Sequence, residues 1–478
     1  MMKTKKQIIK LLAILLLTTG IWSCKIPSVS NRIENKSVPT QYLQSRDSNT
    51  VAGMNWREFF GDDNLAALID TALKNNQELN ITLQEIQISR NEIQARKGEY
   101  LPFVGVTAGL GFEKEARYTR HGAVDEAIEI KPQKEMPKIL PDYLVGLSAS
   151  WELDVWKKLR TARQSAVLKY LSTVEGRNFM VTQLIAEISE SYYELITLDN
   201  LLSILSQNIE LQKSALQVVR MEKDAAKVTQ LAVNRFEAQL LNTQNRQYEI
   251  RQKIVETENR INFLVGRFPQ PVARNPAAFA DLQPLLPSEG VPVQLLQYRP
   301  DIRQAELDLE ASKLDVKVVR ANFYPSFRLT AGAGFRAFNP AYLIKPESIL
   351  YNLAGDMMAP LVNRNAIKAD FANANAKQVQ AVYSYERSIL NAFIEVTNQL
   401  NRMENFTKSF ETKQREADIL AQSVNISNNL FRSARADYVE VLLTQREALE
   451  ARLELTEIKL KQFAARVNIY KALGGGWK

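Results

Sequence analysis

Apolar and polar residues alternate in two stretches of this chain. Within residues 99–112, Val104, Val106, Ala108, Leu110 and Phe112 oppose Gly105, Thr107, Gly109 and Gly111. Within residues 322–335, Phe327, Leu329, Ala331, Ala333 and Phe335 oppose Arg328, Thr330, Gly332 and Gly334. A period of two predicts strands with one apolar face and one small or polar face. The stretches are also copies of each other. Pro102, Thr107, Ala108, Gly109, Gly111 and Phe112 match Pro325, Thr330, Ala331, Gly332, Gly334 and Phe335 at a constant offset, about half the chain. That spacing predicts an internal duplication. Residues 143–154 alternate as well, and residues 349–361 form a less regular fourth candidate that ends at Pro360. Each half therefore predicts a β-hairpin.

Between and after the hairpins the pattern changes to steps of three and four. From residue 157 to 265 there is one glycine, Gly176, and no proline. Leu184, Ile188, Leu195, Leu198, Leu202, Leu205 and Ile209 make a heptad seam with Ser191 as its gap. A break at residues 223–229 predicts a helical hairpin, with arms of about 90 and 60 Å at ~1.5 Å per residue. Between Pro360 and Gly474 there is neither glycine nor proline. Ile389, Phe393, Val396, Leu400 and Met403 repeat the seam, and residues 435–437 predict the second turn. Helices are also expected from about Asp62 to Lys97 and over residues 298–322. Residues 113–141 and 337–347 are expected as exposed loops.

The expected domains are a signal peptide at 1–23 and an N-terminal segment at 24–55. A first repeat at 56–266 and a second at 293–478 flank a proline-rich linker at 267–292. The fold class is mainly α with β.

Four strands cannot close a barrel, and an apolar-faced open sheet cannot lie in lipid with unpaired edges. Membrane-spanning strands would therefore close by association. Two chains give eight strands, a barrel filled by its own side chains. Three chains give twelve, wide enough for a water-filled lumen. The glycines and threonines of the second face suit the lumen. The helical hairpins would extend that conduit as an α-barrel. The helical seams alone fit a soluble coiled coil equally well.

Charge excludes one class of partner. The chain has 61 basic and 53 acidic residues. Lys3, Lys5, Lys6 and Lys10 lie in the basic start of a leader, and the remaining near-balance gives no basis for nucleic-acid binding. The single histidine, His121, falls in an expected surface loop. With no phosphate loop, metal cluster or nucleophile motif, an enzyme is not expected, and neither is a cofactor. The single cysteine, Cys24, follows an apolar run at residues 8–21 that is short for a membrane span. Ile21-Trp22-Ser23-Cys24 resembles a bacterial lipobox, with Trp22 where a small residue is usual. That resemblance implies lipidation at Cys24 and anchoring in outer-membrane lipid.

Three stretches carry a family resemblance. VPVQLLQYRPDIRQAE at 291–306, WELDVWKKLR at 151–160 and NIYKALGGGW at 468–477 resemble segments of TolC-like outer-membrane efflux proteins. They are most similar to the lipoprotein branch that works with resistance–nodulation–division pumps. The resemblance implies a homotrimer with a twelve-stranded transmembrane β-barrel and an α-barrel with a closable periplasmic tip. Its implied partners are a periplasmic adaptor protein and an inner-membrane efflux pump. The implied function is export of small toxic compounds or drugs. A type I secretion exit duct shares this fold, and a non-channel periplasmic coiled-coil lipoprotein would also account for the helices and Cys24.

The resemblance extends to a gate. Residues 430–449 are similar to the family's second inner hairpin, which implies that Phe431, Val439, Leu443 and Arg446 line or brace the constriction. Ala434 stands where a glycine is usual, and Leu443 where an acidic residue is common. Closure at Leu443 is then apolar rather than through a ring of carboxylates. In the first hairpin Ala226 replaces the usual glycine and Ala232 the usual aspartate.

Overall fold

The computed structural model describes residues 26–28, 32–42, 49–131, 133–276, 283–284, 286–433 and 435–477. In chain order the elements are α1 (Trp56–Phe60), α2 (Asp63–Asn75), α3 (Gln77–Tyr100), β1 (Phe103–Glu113), α4 (Arg120–Ala127), β2 (Glu129–Lys131) and β3 (Lys134–Glu135). They continue with β4 (Leu140–Leu153), α5 (Lys158–Asp224), α6 (Gln230–Val265), α7 (Leu295–Tyr298) and α8 (Pro300–Ala321). The last are β5 (Ser326–Ala337), α9 (Pro340–Leu343), β6 (Ile349–Met358), α10 (Asn365–Arg432) and α11 (Tyr438–Ala472). The fold is mainly helical, with long helical hairpins and a small sheet. The long arms have 67 and 36 residues in the first hairpin and 68 and 35 in the second.

The chain divides into two compact units. One takes in residues up to Ile33, Gln87–Tyr170 and Leu307–Val382; the other takes in Glu34–Ile86, Leu171–Glu306 and Tyr383–Lys478.

The first unit is built on an antiparallel sheet of order β1-β4-β5-β6. The two duplicated strands are not neighbours, since β4 lies between them. Glycines allow the tightest approach in the sheet. Gly146 faces Gly334, and a Cβ on Gly146 would stand 2.7 Å from the Ala333 carbonyl oxygen. The passage from β4 into α5 is fixed by Asp154. Its carboxylate accepts from the backbone N–H of Leu159 at 2.9 Å and of Arg160 at 3.0 Å, and from Arg160 Nε at 3.1 Å. These are N–H groups that the first turn of a helix leaves without intrahelical partners. Trp156 Nε1 donates to the Pro325 carbonyl at 2.7 Å, and its ring stacks on Tyr324.

The second unit buries the heptad seams. Ile188, Leu195, Leu205, Val396, Leu400 and Met403 are all buried, and Ser191 sits buried in the gap of the first seam. Asp62 caps α2 through the N–H groups of Asn64 and Leu65 and also accepts from the Tyr192 hydroxyl at 3.0 Å. Arg299, 5% exposed, forks onto Asp301 at 2.7 and 2.9 Å, reaches Glu395 at 2.8 Å and donates to the Ala472 carbonyl at 2.7 Å. Burial alone would lower its pKa, but these two carboxylates raise it overall, so the buried charge is held by its partners.

Several elements differ from the sequence expectation, among them the expected loop at 337–347, which contains α9. The helix expected over 62–97 breaks at Asn76, whose Oδ1 accepts from the Leu79 N–H while its Nδ2 donates to the Leu264 carbonyl. That side chain caps a new helix, which offsets about 1 kcal/mol of the cost of the break. The expected loop at 113–141 contains α4 and the β2–β3 hairpin, which places His121 in a short helix, still exposed. The fourth strand ends at Met358, before Ala359 and Pro360.

Candidate conduit and gate

Register brings the apolar positions of all four strands into common rows. Val106 faces Leu147, Leu147 faces Ala333, and Ala333 faces Tyr351. One row along, Val104, Ala149, Ala331 and Leu353 align in the same way. This face is largely exposed within the chain, with Val106 at 77% and Leu353 at 78%. The opposite face aligns Thr107 with Gly146, Gly334 and Leu350, then Gly105 with Ser148, Gly332 and Asn352. Its charges lie toward the ends, where Arg336 forks onto Asp142 with two 2.8 Å bonds. The sheet thus has one apolar face and one mostly small or polar face, on which Phe103, Leu144 and Leu350 are large apolar exceptions.

Both outer strands are open-edged. β1 pairs only with β4 and β6 only with β5, so each has an outer row of backbone groups unpaired among the described residues. Neither edge is paired within the chain among the described residues.

The turns of the two helical hairpins adjoin each other within the second unit. Leu216, Val219, Ala232, Val233 and Phe236 form a buried cluster in the first hairpin, and Tyr438 and Leu442 from α11 pack against it. Ala232, where an acid was noted as usual, is fully buried in this cluster. Ala226 takes the left-handed conformation, φ 57°, at the turn of the first hairpin. The Lys227 N–H closes the turn onto the Glu222 carbonyl at 2.9 Å. The backbone there still has the geometry that glycine adopts without strain.

Val439, Leu443 and Arg446 step along α11 by four and three, on a side next to Tyr438 and Leu442. Val439 is half-buried, Leu443 is 42% exposed and Arg446 is exposed. Among the described residues Arg446 has no hydrogen-bond or ion-pair partner in its own chain. Phe431 lies in the last turn of α10, half-buried, on the wall of a cavity between the hairpins. The structure therefore gathers Val439, Leu443 and Arg446 on one side of α11 and sets Phe431 apart on another helix. Ala434 and Cys24 lie outside the described residues.

Comparison with known proteins gives these features their context. The profile described as outer membrane efflux protein matches residues 68–267 and 291–475. The chain belongs to that family. This efflux protein is 24% identical over 445 residues to the probable outer membrane lipoprotein SilC of Salmonella typhimurium, covering 92% of this chain and 93% of that one. It is 26% identical over 445 residues to the pyoverdine export outer membrane protein OpmQ of Pseudomonas aeruginosa, covering 92% of each. Its fold matches the crystal structure of a membrane protein from Pseudomonas aeruginosa with a TM-score of 0.84 at 21% identity, covering 94% of this chain and 99% of that chain.

The efflux protein is accordingly an outer-membrane exit duct of the TolC type, a transport protein rather than an enzyme. No group of metal-ligating side chains that could hold an ion occurs among the described residues. No helix among them is long and apolar enough to cross a membrane.

The side of α11 expected to carry the gate was named by resemblance, since heptad pattern alone does not choose it. Leu442 and Leu443 are equally apolar in sequence, and only the packing of Leu442 on the first hairpin separates them. The Asp154 cap was missed, although an acid five residues before Leu159 at the end of an alternating strand was its visible signal.

Proposed function

We infer that three copies of this chain close a twelve-stranded transmembrane barrel, with the apolar sheet faces in lipid and the Gly/Ser/Thr face toward a water-filled lumen. The observation that carries this reading is the sheet itself, apolar on one face and unpaired at both β1 and β6 edges. Joining β6 of one copy to β1 of the next satisfies every edge, as a membrane-embedded sheet requires. The helical hairpins then extend the conduit as an α-barrel into the periplasm. Residues 1–23 are removed as a signal peptide, and acylated Cys24 anchors each copy in the outer membrane. Residues 56–266 and 293–478 act as two repeats joined by the linker 267–292.

The duct receives small toxic compounds or drugs from an inner-membrane pump of the resistance–nodulation–division class through a periplasmic adaptor. The pump-associated reading is favoured over type I secretion by the lipobox-like leader and the GGGW ending. Phe431, Val439, Leu443 and Arg446 form the gate at the periplasmic end.

Native mass measurement in mild detergent tests the assembly. The expected species is a trimer whose subunits begin at Cys24 and carry added acyl mass. A stable folded monomer overturns the barrel, and a free Cys24 thiol overturns the anchor.

A further inference from the structure

Three passages between helix and strand meet at one end of the sheet. They are 152–158 from β4 into α5, 321–326 from α8 into β5, and 358–362 from β6 into α10, and together they line a cleft of about 460 Å³. Val155, Trp156, Leu361 and Val362 line it and are all exposed, Val362 by 88%. The ring of Trp156 stacks on that of Tyr324 with centres 4.7 Å apart, and both residues line the cleft. The cleft also continues the apolar face of the sheet. The last apolar row aligns Leu153 with Phe327 and Met357, and Leu153 is itself part of the cleft wall. A cluster of this kind at the end of an apolar face marks a surface that meets something other than water.

Charge in the passage from β4 to α5 is paired except at one residue. Glu152 lies 3.5 Å from Lys158, and Asp154 lies 3.1 Å from Arg160. Lys157, next to Trp156, is exposed, and its ammonium has no hydrogen-bond or ion-pair partner among the described residues. Its backbone is left-handed, with φ 58°. That conformation costs free energy for any residue with a side chain, and glycine would adopt it freely. A cation is therefore held beside the cleft at some expense of stability. An unpaired ammonium next to an aromatic, apolar cleft is complementary to an amphipathic anion. A lysine stem can lie along apolar surface with its head in water, and tryptophan and tyrosine gather where an apolar phase meets water.

We propose that this cleft holds an anionic phospholipid of the periplasmic leaflet, with an acyl chain against Trp156, Tyr324, Leu361 and Val362 and the phosphate on Lys157. This rests on the reading of the sheet as part of a membrane barrel with the helical hairpins on its periplasmic side. The lipid then sits where the apolar sheet face gives way to the helices, and Lys157 makes the site prefer a negatively charged headgroup over a neutral one.

The test uses the purified full-length protein in phosphatidylcholine vesicles doped with phosphatidylglycerol whose acyl chains are brominated, because bromine quenches the fluorescence of an indole it touches. Trp156→Phe is expected to remove a distinct part of the quenching; unchanged quenching overturns the site. Lys157→Gly relieves the left-handed lysine and is expected to fold at least as well as wild type. It is also expected to need about fivefold more brominated lipid to reach half of the Trp156-dependent quenching. An unchanged half-point in that folded variant overturns the proposal. Excess inorganic phosphate is expected to leave the quenching intact; displacement would make this a site for free anions and overturn the lipid as its occupant. Val106→Trp reports on the sheet face separately. If it is quenched and Trp156 is not, the site falls and the barrel stands; if neither is quenched, the barrel reading falls and the site with it.

Discussion

The indole nitrogen of Trp477 donates to the carbonyl oxygen of Tyr298 at 3.2 Å, tying the end of the chain to the start of its second half. Two of the three stretches that carry the family resemblance are therefore in contact with each other. Arg299 strengthens the same junction by donating to the carbonyl of Ala472. Gly474 makes the approach possible: its φ is +91°, and a Cβ there would stand 2.5 Å from the Tyr298 oxygen.

Two left-handed positions should respond in opposite directions. Gly474→Ala meets backbone that cannot yield and is expected to cost about 2 kcal/mol or more. Ala226→Gly relieves a left-handed alanine and is expected to stabilise by roughly 0.5–1 kcal/mol. Thermal unfolding of the two purified variants checks both signs. A stabilised Gly474→Ala would contradict the close approach.

Asp154 should make stability fall in acid. Burial opposes ionisation of its carboxyl, but the N–H groups of Arg160 and Leu159 and the Arg160 guanidinium hold its pKa below the usual aspartate value. A depressed folded-state pKa contributes stability above the ordinary aspartate range, and that contribution is lost as pH falls through the folded value. Asp154→Asn is expected to cost about 1–2 kcal/mol at neutral pH. It should also flatten the acid limb of a Tm profile taken from about pH 3 to pH 7. An unchanged acid limb would remove Asp154 from the titration.

The two sheet faces should tolerate charge differently. Val106→Arg or Leu329→Arg places a guanidinium on the lipid side and is expected to cost roughly 2–4 kcal/mol near the midplane. Thr107→Arg, on the lumen side, should assemble nearly as well as wild type. The yield of folded oligomer from membranes measures this, and equal damage at Val106 and Thr107 would reverse or abolish the assigned faces.

Arg446 should hold the gate closed through a contact outside its own chain. It has no partner among the described residues of its own chain, and a guanidinium offers up to five donors to carbonyls or carboxylates. Three copies near one axis would also repel, so the bracing contact must outweigh that repulsion. Arg446→Ala is expected to raise single-channel conductance or opening in planar bilayers. Leu443→Ala should act in the same direction by removing an apolar constriction. Wild-type conduction from the arginine variant would place Arg446 on the outer surface.

Alternation was the most legible signal in this sequence. Val106 and Thr107 fall on opposite faces because a strand's period of two leaves no other choice, and the register of four strands keeps them there. The helical seams were legible for the same reason. Local capping was not. Asn76 breaks a helix whose apolar spacing runs straight through it, because one amide bonds both Leu79 and Leu264. RHGAVDEA forms α4 without a helical stripe, held by the Thr119 cap and by Gly122 lying too close to Ala116 for any side chain. Of the expected gate residues the structure shows only their places, with Val439, Leu443 and Arg446 on α11 and Phe431 on α10. Which side of α11 would meet the axis of the proposed trimer depends on the other copies, and a single chain carries that information only where Leu442 is already packed.

If three copies close the barrel as proposed, the unpaired outer rows of β1 and β6 set the kinetics of biogenesis. A helical hairpin can form from its own local contacts, but in that assembly the sheet would be completed only on meeting another copy. Its last folding step is therefore an encounter, faster at high local concentration and reversible until the ring is closed. One defective subunit then matters more than its share of the population. A copy with proline placed in the outer row of β6 could still offer β1 to a normal neighbour, join the ring and leave it unclosable. Co-expression of such a copy would deplete functional ducts in proportion to the mixed rings formed, so the damage would be dominant rather than additive.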